Sequence, residues 1–176
     1  MRTRIDTHPQ GIFRSKIPLT IVCGPPCSGK TTYVEQNKSA GDQVIDLDLI
    51  SVQLEPNFRP WKQTDFDLLR RAIRMRNLLL LRLSKLETGK AWFIVGAPTA
   101  AERDWWKLKL GGGIALLSVA PDECKRRAIA RGTPEAIQGI DDWFEKSEQC
   151  WTLPRYQNSI AQDGWFLREA EDEDCM

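Results

Sequence analysis

The sequence predicts an α/β fold, a parallel sheet of about five strands sandwiched by helices, on three observations. Short apolar, β-branched runs alternate along the chain with longer helical patterns, as expected for strands buried on both faces by crossover helices. The first such run ends in glycine and passes almost at once into a helix-compatible stretch. No repeat, low-complexity segment or linker divides the 176 residues, a length that suits one domain with a real core.

The elements are justified in order. Leu19-Thr20-Ile21-Val22-Cys23 reads as a buried strand ending at glycine and two prolines. Residues 30–36 suit the first turns of a helix, and 43–47 a second short strand. Residues 66–86 contain no Gly or Pro, and Leu69, Ile73, Leu80 and Leu83 keep roughly helical spacing before a stop at Gly89. Ala91-Trp92-Phe93-Ile94-Val95 is a third strand, residues 100–110 a helix, and 114–119 a fourth strand after three glycines. Pro121 opens a helix running to about Arg131, at a position where its missing N–H costs nothing. Residues 140–151 make a last helix, and Trp165-Phe166-Leu167 a final edge strand. The expected division is a basic arm over 1–18, a domain over 19–168 and an acidic tail over 169–176.

Composition removes several function classes. A net charge of +1 gives no global attraction for nucleic acid. The single histidine, His8, has no partners for a triad or a metal cluster. Five cysteines without paired spacing describe no disulfide framework, so a reducing cytoplasmic setting is expected. No apolar run approaches the ~20 residues of a membrane span, and residues 1–18 lack the apolar stretch of a signal peptide. Of the seven tryptophans, most are expected in the core, with Trp61 in a polar loop as the one facing a ligand.

The chemistry concentrates in Gly24-Pro25-Pro26-Cys27-Ser28-Gly29-Lys30-Thr31, which has the form G-x-x-x-x-G-K-T between a strand and a helix. Gly24 and Gly29 let the backbone turn tightly and approach phosphate oxygens that a Cβ would block. The N–H groups of Cys27, Ser28, Gly29, Lys30, Thr31 and Thr32 form an anion nest at a helix N-terminus. Lys30 reaches the β- and γ-phosphates of ATP, and the Thr31 hydroxyl is placed for Mg²⁺. This is the Walker A or P-loop arrangement. Absence of an Asn-Lys-x-Asp stretch argues against guanine recognition.

Two further constellations point from binding to transfer. Asp46-Leu47-Asp48 falls at the end of the second strand, where a parallel sheet presents side chains to its ligand crevice. Asp48 is the expected general base toward an acceptor hydroxyl, with Asp46 helping to hold Mg²⁺ through water. The alternative is that Asp48 caps a helix beginning at Leu49. Arg127 and Arg131 lie four apart on a helix before Gly132, the pattern of a lid closing over a triphosphate. The reading is an ATP-dependent kinase acting on a hydroxyl of a nucleotide or nucleic acid. Its alternatives are an ATPase or switch protein without a phosphoacceptor, and a small-molecule kinase.

These pieces resemble the P-loop kinase superfamily, which includes small AAA-type ATP-binding proteins, and especially the kinase domain of phage-type polynucleotide 5′-hydroxyl kinases. The likeness lies in residues 24–33, in residues 119–133 and in the helix over 140–151. It implies that Arg131 is the lid arginine on the ATP phosphates and that Asp48 is the general base. Two positions depart from that family on the acceptor side: Ser51 stands where it usually has a phosphate-holding arginine, and Gly96-Ala97-Pro98 where it tends to have an acid. Arg103 and the Arg70/Arg71/Arg74 cluster are the sequence's substitutes for the missing contact.

Overall fold

The computed structural model describes residue 9 and residues 11–62 and 65–151. Four strands, β1 (Leu19–Cys23), β2 (Gln43–Asp46), β3 (Ala91–Val95) and β4 (Gly113–Leu116), form one parallel sheet in the order β2-β3-β1-β4. Six helices complete it: α1 (Lys30–Asn37), α2 (Leu47–Leu54), α3 (Phe66–Leu83), α4 (Ala100–Leu110), α5 (Pro121–Ala130) and α6 (Ala136–Trp151). The expected α/β architecture is thus observed, with four strands among the described residues. The fifth candidate, Trp165-Phe166-Leu167, lies outside them.

Strand alternation explains the layering. Leu19, Ile21 and Cys23 of β1, with Ala91 and Phe93 of β3, face a core completed by α2, α3 and α4. Val22, Trp92 and Ile94 point the other way, onto Val34 and Tyr33 of α1. Because both faces are covered at the centre of the sheet, β1 and β3 are almost entirely apolar rather than alternating. Phe93 is fully buried and meets Trp106 edge to face at 4.9 Å between centroids. Phe93→Ala is therefore expected to cost about 3–5 kcal/mol, seen as a lower urea midpoint with unchanged slope. The final part of the expected arm packs on this core: Ile12 and Ile17 are buried, and the N–H groups of Ser15 and Lys16 donate to the carbonyls of Leu110 and Leu83.

Several boundaries differ from the sequence reading, among them the end of the long helix at Leu83 rather than at 86. The second strand stops at Asp46, because the Asp46 carboxylate accepts from the Asp48 N–H and starts α2 at Leu47. Asp46 is thus the cap, and Asp46 and Asp48 do not share one face of a continuing strand. The fourth strand is shorter than expected, ending at Leu116. The last helix begins at Ala136 rather than at 140 and runs through Gly139, a residue whose poor helix propensity hid the earlier turn.

Candidate active site

With every strand parallel, the loops after β1, β2 and β3 open at one edge of the sheet around β1. There they line a cleft of about 670 Å³. The phosphate loop forms its floor. Gly24 at φ 148° and Gly29 at φ 97° occupy backbone conformations that favour glycine. A Cβ on Gly24 would stand 2.9 Å from both the Leu117 carbonyl and Ser28 Oγ, so no other residue fits without a shift. Helix α1 starts at Gly29 with no side-chain cap and no acid in its first turn, which leaves its first amides to an anion.

Gly24, Cys27, Gly29, Lys30, Thr31 and Thr32 all line this cleft, as the motif requires. Ser28 does not: it is buried behind the loop, and its hydroxyl has no hydrogen-bond partner among the described residues. Its backbone remains part of the cradle. The Lys30 ammonium donates to the Gly24 carbonyl at 2.9 Å and the Pro25 carbonyl at 2.7 Å. Burial pushes the Lys30 pKa down, while Asp46 and Asp48 oppose the shift by attracting the charged form.

The two carboxylates differ in surroundings. Asp46 is buried at 8% exposure, and desolvation raises its pKa against the Asp48 N–H, Lys30 and the Thr31 hydroxyl. Asp48 keeps an exposed edge toward the cleft. Crowding by the cleft walls and then repulsion from Asp46 lift its carboxyl to about 6, with Lys30 pulling the other way. The repulsion acts whatever amount of cleft water reaches Asp48, so the upward direction stands.

On the far wall Arg127 and Arg131 have different surroundings. Arg131 is exposed and lines the cleft with Thr133. Arg127 does not line it. Its Nη1 donates to the Ser28 carbonyl at 3.2 Å and its Nε to Glu123 at 2.7 Å. Arg126 and then Arg127 hold the Glu123 carboxyl down at about 2. Helix α5 is thereby tied to the loop's backbone, and Lys125 ties it to Asp141 of α6 at 2.6 Å.

The remaining wall comes from residues 59–62, α3 and α6. Trp61 lines the cleft, as its loop position suggested, and so does Trp143, which the sequence reading left among core tryptophans. The Trp143 indole N–H donates to the Gly96 carbonyl at 2.9 Å. Trp61 adopts φ 72°, uncommon for a bulky residue, and its ring lies where a Cβ on Gly139 would come within 2.6 Å. The missed cation is Arg76, which lines the cleft at 5% exposure. The proposed substitutes lie elsewhere: Arg103 donates to the Ala97 and Pro98 carbonyls, Arg70 pairs with Asp67 and Arg71 with Glu55. Arg74 is exposed and does not line the cleft.

Mg²⁺ fits the oxygen donors present. The Thr31 hydroxyl and the Asp46 carboxylate adjoin one another at the loop, and two hard oxygen ligands with phosphates and water completing the shell suit that ion. No group of three or more His, Cys, Asp or Glu able to hold a metal by itself occurs among the described residues. Nor is any helix among them long and apolar enough to cross a membrane.

Comparison with known proteins bears on the same span. No curated protein matches the chain. Among solved structures it is similar to TT1252 from Thermus thermophilus, 18% identical over 88% of this chain and 90% of that one, with a TM-score of 0.44. That likeness is too loose to add to the site's interpretation. The family model described as AAA domain matches residues 19–139, a span that holds the phosphate loop, both carboxylates, Arg76 and Arg131. With a nucleotide cradle built as its motif demands and more than half its length inside that match, the chain belongs to the AAA domain family of P-loop nucleotide-binding proteins.

Proposed function

We propose that this protein is an ATP-dependent phosphotransferase that moves the γ-phosphoryl group to a hydroxyl of a nucleotide or nucleic acid, in the manner of polynucleotide 5′-hydroxyl kinases. One observation carries the reading: Asp48, a carboxylate lifted to about 6, opens into the same cleft as the phosphate loop. A pKa just below neutrality leaves the group ionised yet basic enough to accept a proton.

In the reaction the acceptor oxygen forms a bond to the γ-phosphorus as the bond to the β–γ bridging oxygen breaks. ADP leaves, and the hydroxyl proton passes to Asp48. Lys30 stabilises charge on the β- and γ-oxygens, and Arg131 approaches the same oxygens from the lid side. Arg127 acts indirectly, by bracing the Ser28 carbonyl and so the loop. Thr31 and Asp46 would hold Mg²⁺, which when bound neutralises phosphate charge.

The test is an acceptor screen with γ-labelled ATP against 5′-hydroxyl oligonucleotides, nucleosides, modified-base DNA and sugars. Label in a nucleotide or nucleic-acid acceptor supports the proposal. Steady ATP consumption with no labelled acceptor rejects it in favour of an ATPase or switch, and label confined to a sugar points to a small-molecule kinase.

A further inference from the structure

We propose that Trp61 recognises the acceptor through its base: the nucleobase of the unit that carries the attacking hydroxyl stacks on this indole. The inference rests on the phosphotransferase reading and assigns it a specificity residue. Its first support is conformational. Trp61 holds φ 72°, in a region that bulky residues rarely occupy and that is kept where the surroundings demand it. Its ring sits against Gly139, where a Cβ would stand 2.6 and 3.0 Å from two of the ring carbons. Gly139 lies inside α6, and glycine weakens a helix relative to alanine. Two unfavourable choices thus converge on one placement of the indole. Burying the ring does not account for them, because Trp61 remains 43% exposed whereas Trp92 and Trp106 are each at 3%.

The second support is position. The sheet order β2-β3-β1-β4 puts the tip of β3 between Asp46, at the end of β2, and the phosphate loop after β1. Gly96 follows β3, and its carbonyl accepts the Trp143 indole N–H at 2.9 Å. Trp61 belongs to the segment between α2 and α3, and α2 carries Asp48. Gly139 and Trp143 are four residues apart and share one face of α6, so both indoles meet that face, and both line the cleft. The two attachments, to the tip of β3 and to the segment following α2, place this surface on the flank of the phosphate loop that holds Asp48.

The third support is chemical. Trp143 is fixed by its hydrogen bond and by an edge-to-face contact with Phe144 at 5.0 Å between centroids. It forms a rigid wall near a ring whose own surface is open. Together with Pro60 the two indoles offer the cleft flat apolar surface. Among the described residues no Asn or Gln side chain lines the cleft, and these are common readers of a base edge. Stacking is the mode such a surface allows, and every nucleobase presents a π-face to it. An acceptor without a base would leave the indole in water.

The experiment titrates thymidine 3′-monophosphate and its abasic counterpart, 1,2-dideoxyribose 3-phosphate, into the full chain saturated with Mg²⁺ and a non-hydrolysable ATP analogue, read by calorimetry. The two compounds share the 5′-hydroxyl and the phosphate, so any difference belongs to the base. The thymine compound is expected to bind about tenfold more tightly, within the range of one base stacked on one aromatic ring. Trp61→Ala should erase that preference while leaving affinity for the abasic compound and for the ATP analogue unchanged, and Trp61→Phe should keep part of it. Equal affinities in the unaltered protein, no binding of either compound, or a preference that survives Trp61→Ala would each overturn the proposal. A parallel loss for both compounds in Trp61→Ala would overturn it by showing a structural role, and weaker ATP-analogue binding would do so by moving the ring to the donor's side. Binding needs no turnover, so the two readings fail separately. A Trp61-dependent preference for the base with no labelled acceptor rejects the transferase alone, and label passing to acceptors regardless of their base rejects this inference alone.

Discussion

Asp48→Asn is expected to lower phosphoryl transfer by about two to four orders of magnitude, the usual contribution of a positioned general base. Nucleotide affinity should stay within about twofold, because Asp48 contributes no group to the phosphate loop. Single-turnover transfer and calorimetry with an ATP analogue check the two halves separately. The pH profile gives a sharper result. With the free carboxyl titrating at about 6, kcat/KM should fall as pH drops through that value. The asparagine variant should show no such limb.

The same substitution has a stability consequence of opposite sign. The folded Asp48 carboxyl titrates at about 6 against an ordinary 3.8, so the folded state binds this proton more tightly than the unfolded chain. Its favourable contribution is complete below 3.8 and is lost as pH rises through 6. Asp48→Asn should therefore raise the melting temperature at pH 7.5 and lose that advantage below pH 4. A site that trades stability for activity shows this pattern. Unchanged melting at pH 7.5 would mean that Asp46 and the cleft walls place no strain on the carboxylate.

Lys30→Met is the second substitution with a large expected effect. Methionine keeps an unbranched stem of similar reach but removes the positive charge. Transfer should drop by about two to three orders of magnitude, as for other charge-stabilising donors, and affinity for the ATP analogue should fall as well. The pairing of losses matters: Asp48→Asn spares binding, whereas Lys30→Met does not. Full nucleotide affinity in the methionine variant would remove Lys30 from the phosphates.

The phosphate loop was legible because its chemistry acts through the backbone, and backbone geometry dictates residue type. Gly24 has no room for a Cβ, Gly29 needs its positive φ, and the ammonium of Lys30 has no substitute at that reach. The central strands β1 and β3 were legible for a similar reason, since burial on both faces requires nearly unbroken apolar runs. Side-chain placement was not written locally. Asp46 became a helix cap because its carboxylate found the Asp48 N–H, two residues ahead of the cap that the sequence offered at Asp48. Arg127 and Arg131 share a helical spacing, yet one braces the loop and the other faces the cleft, as Glu123 and Ser28 determine. Trp143 reaches the site only because α6 packs near Gly96, 47 residues earlier in the chain. Arg76 did leave a signal, a charge on the i, i+4 apolar stripe, though its cleft becomes visible only once α3 is folded against β2.

The Lys30 ammonium rests on the Gly24 and Pro25 carbonyls, and this makes nucleotide uptake an exchange of partners. Each of those two hydrogen bonds must be traded for one to a phosphoryl oxygen before the ligand gains from the charge. A nucleoside monophosphate has no β- or γ-oxygens to offer in return, so it leaves the ammonium where it is. A nucleoside monophosphate is therefore expected to bind more weakly than ADP or ATP, whose β-oxygens can take the ammonium over.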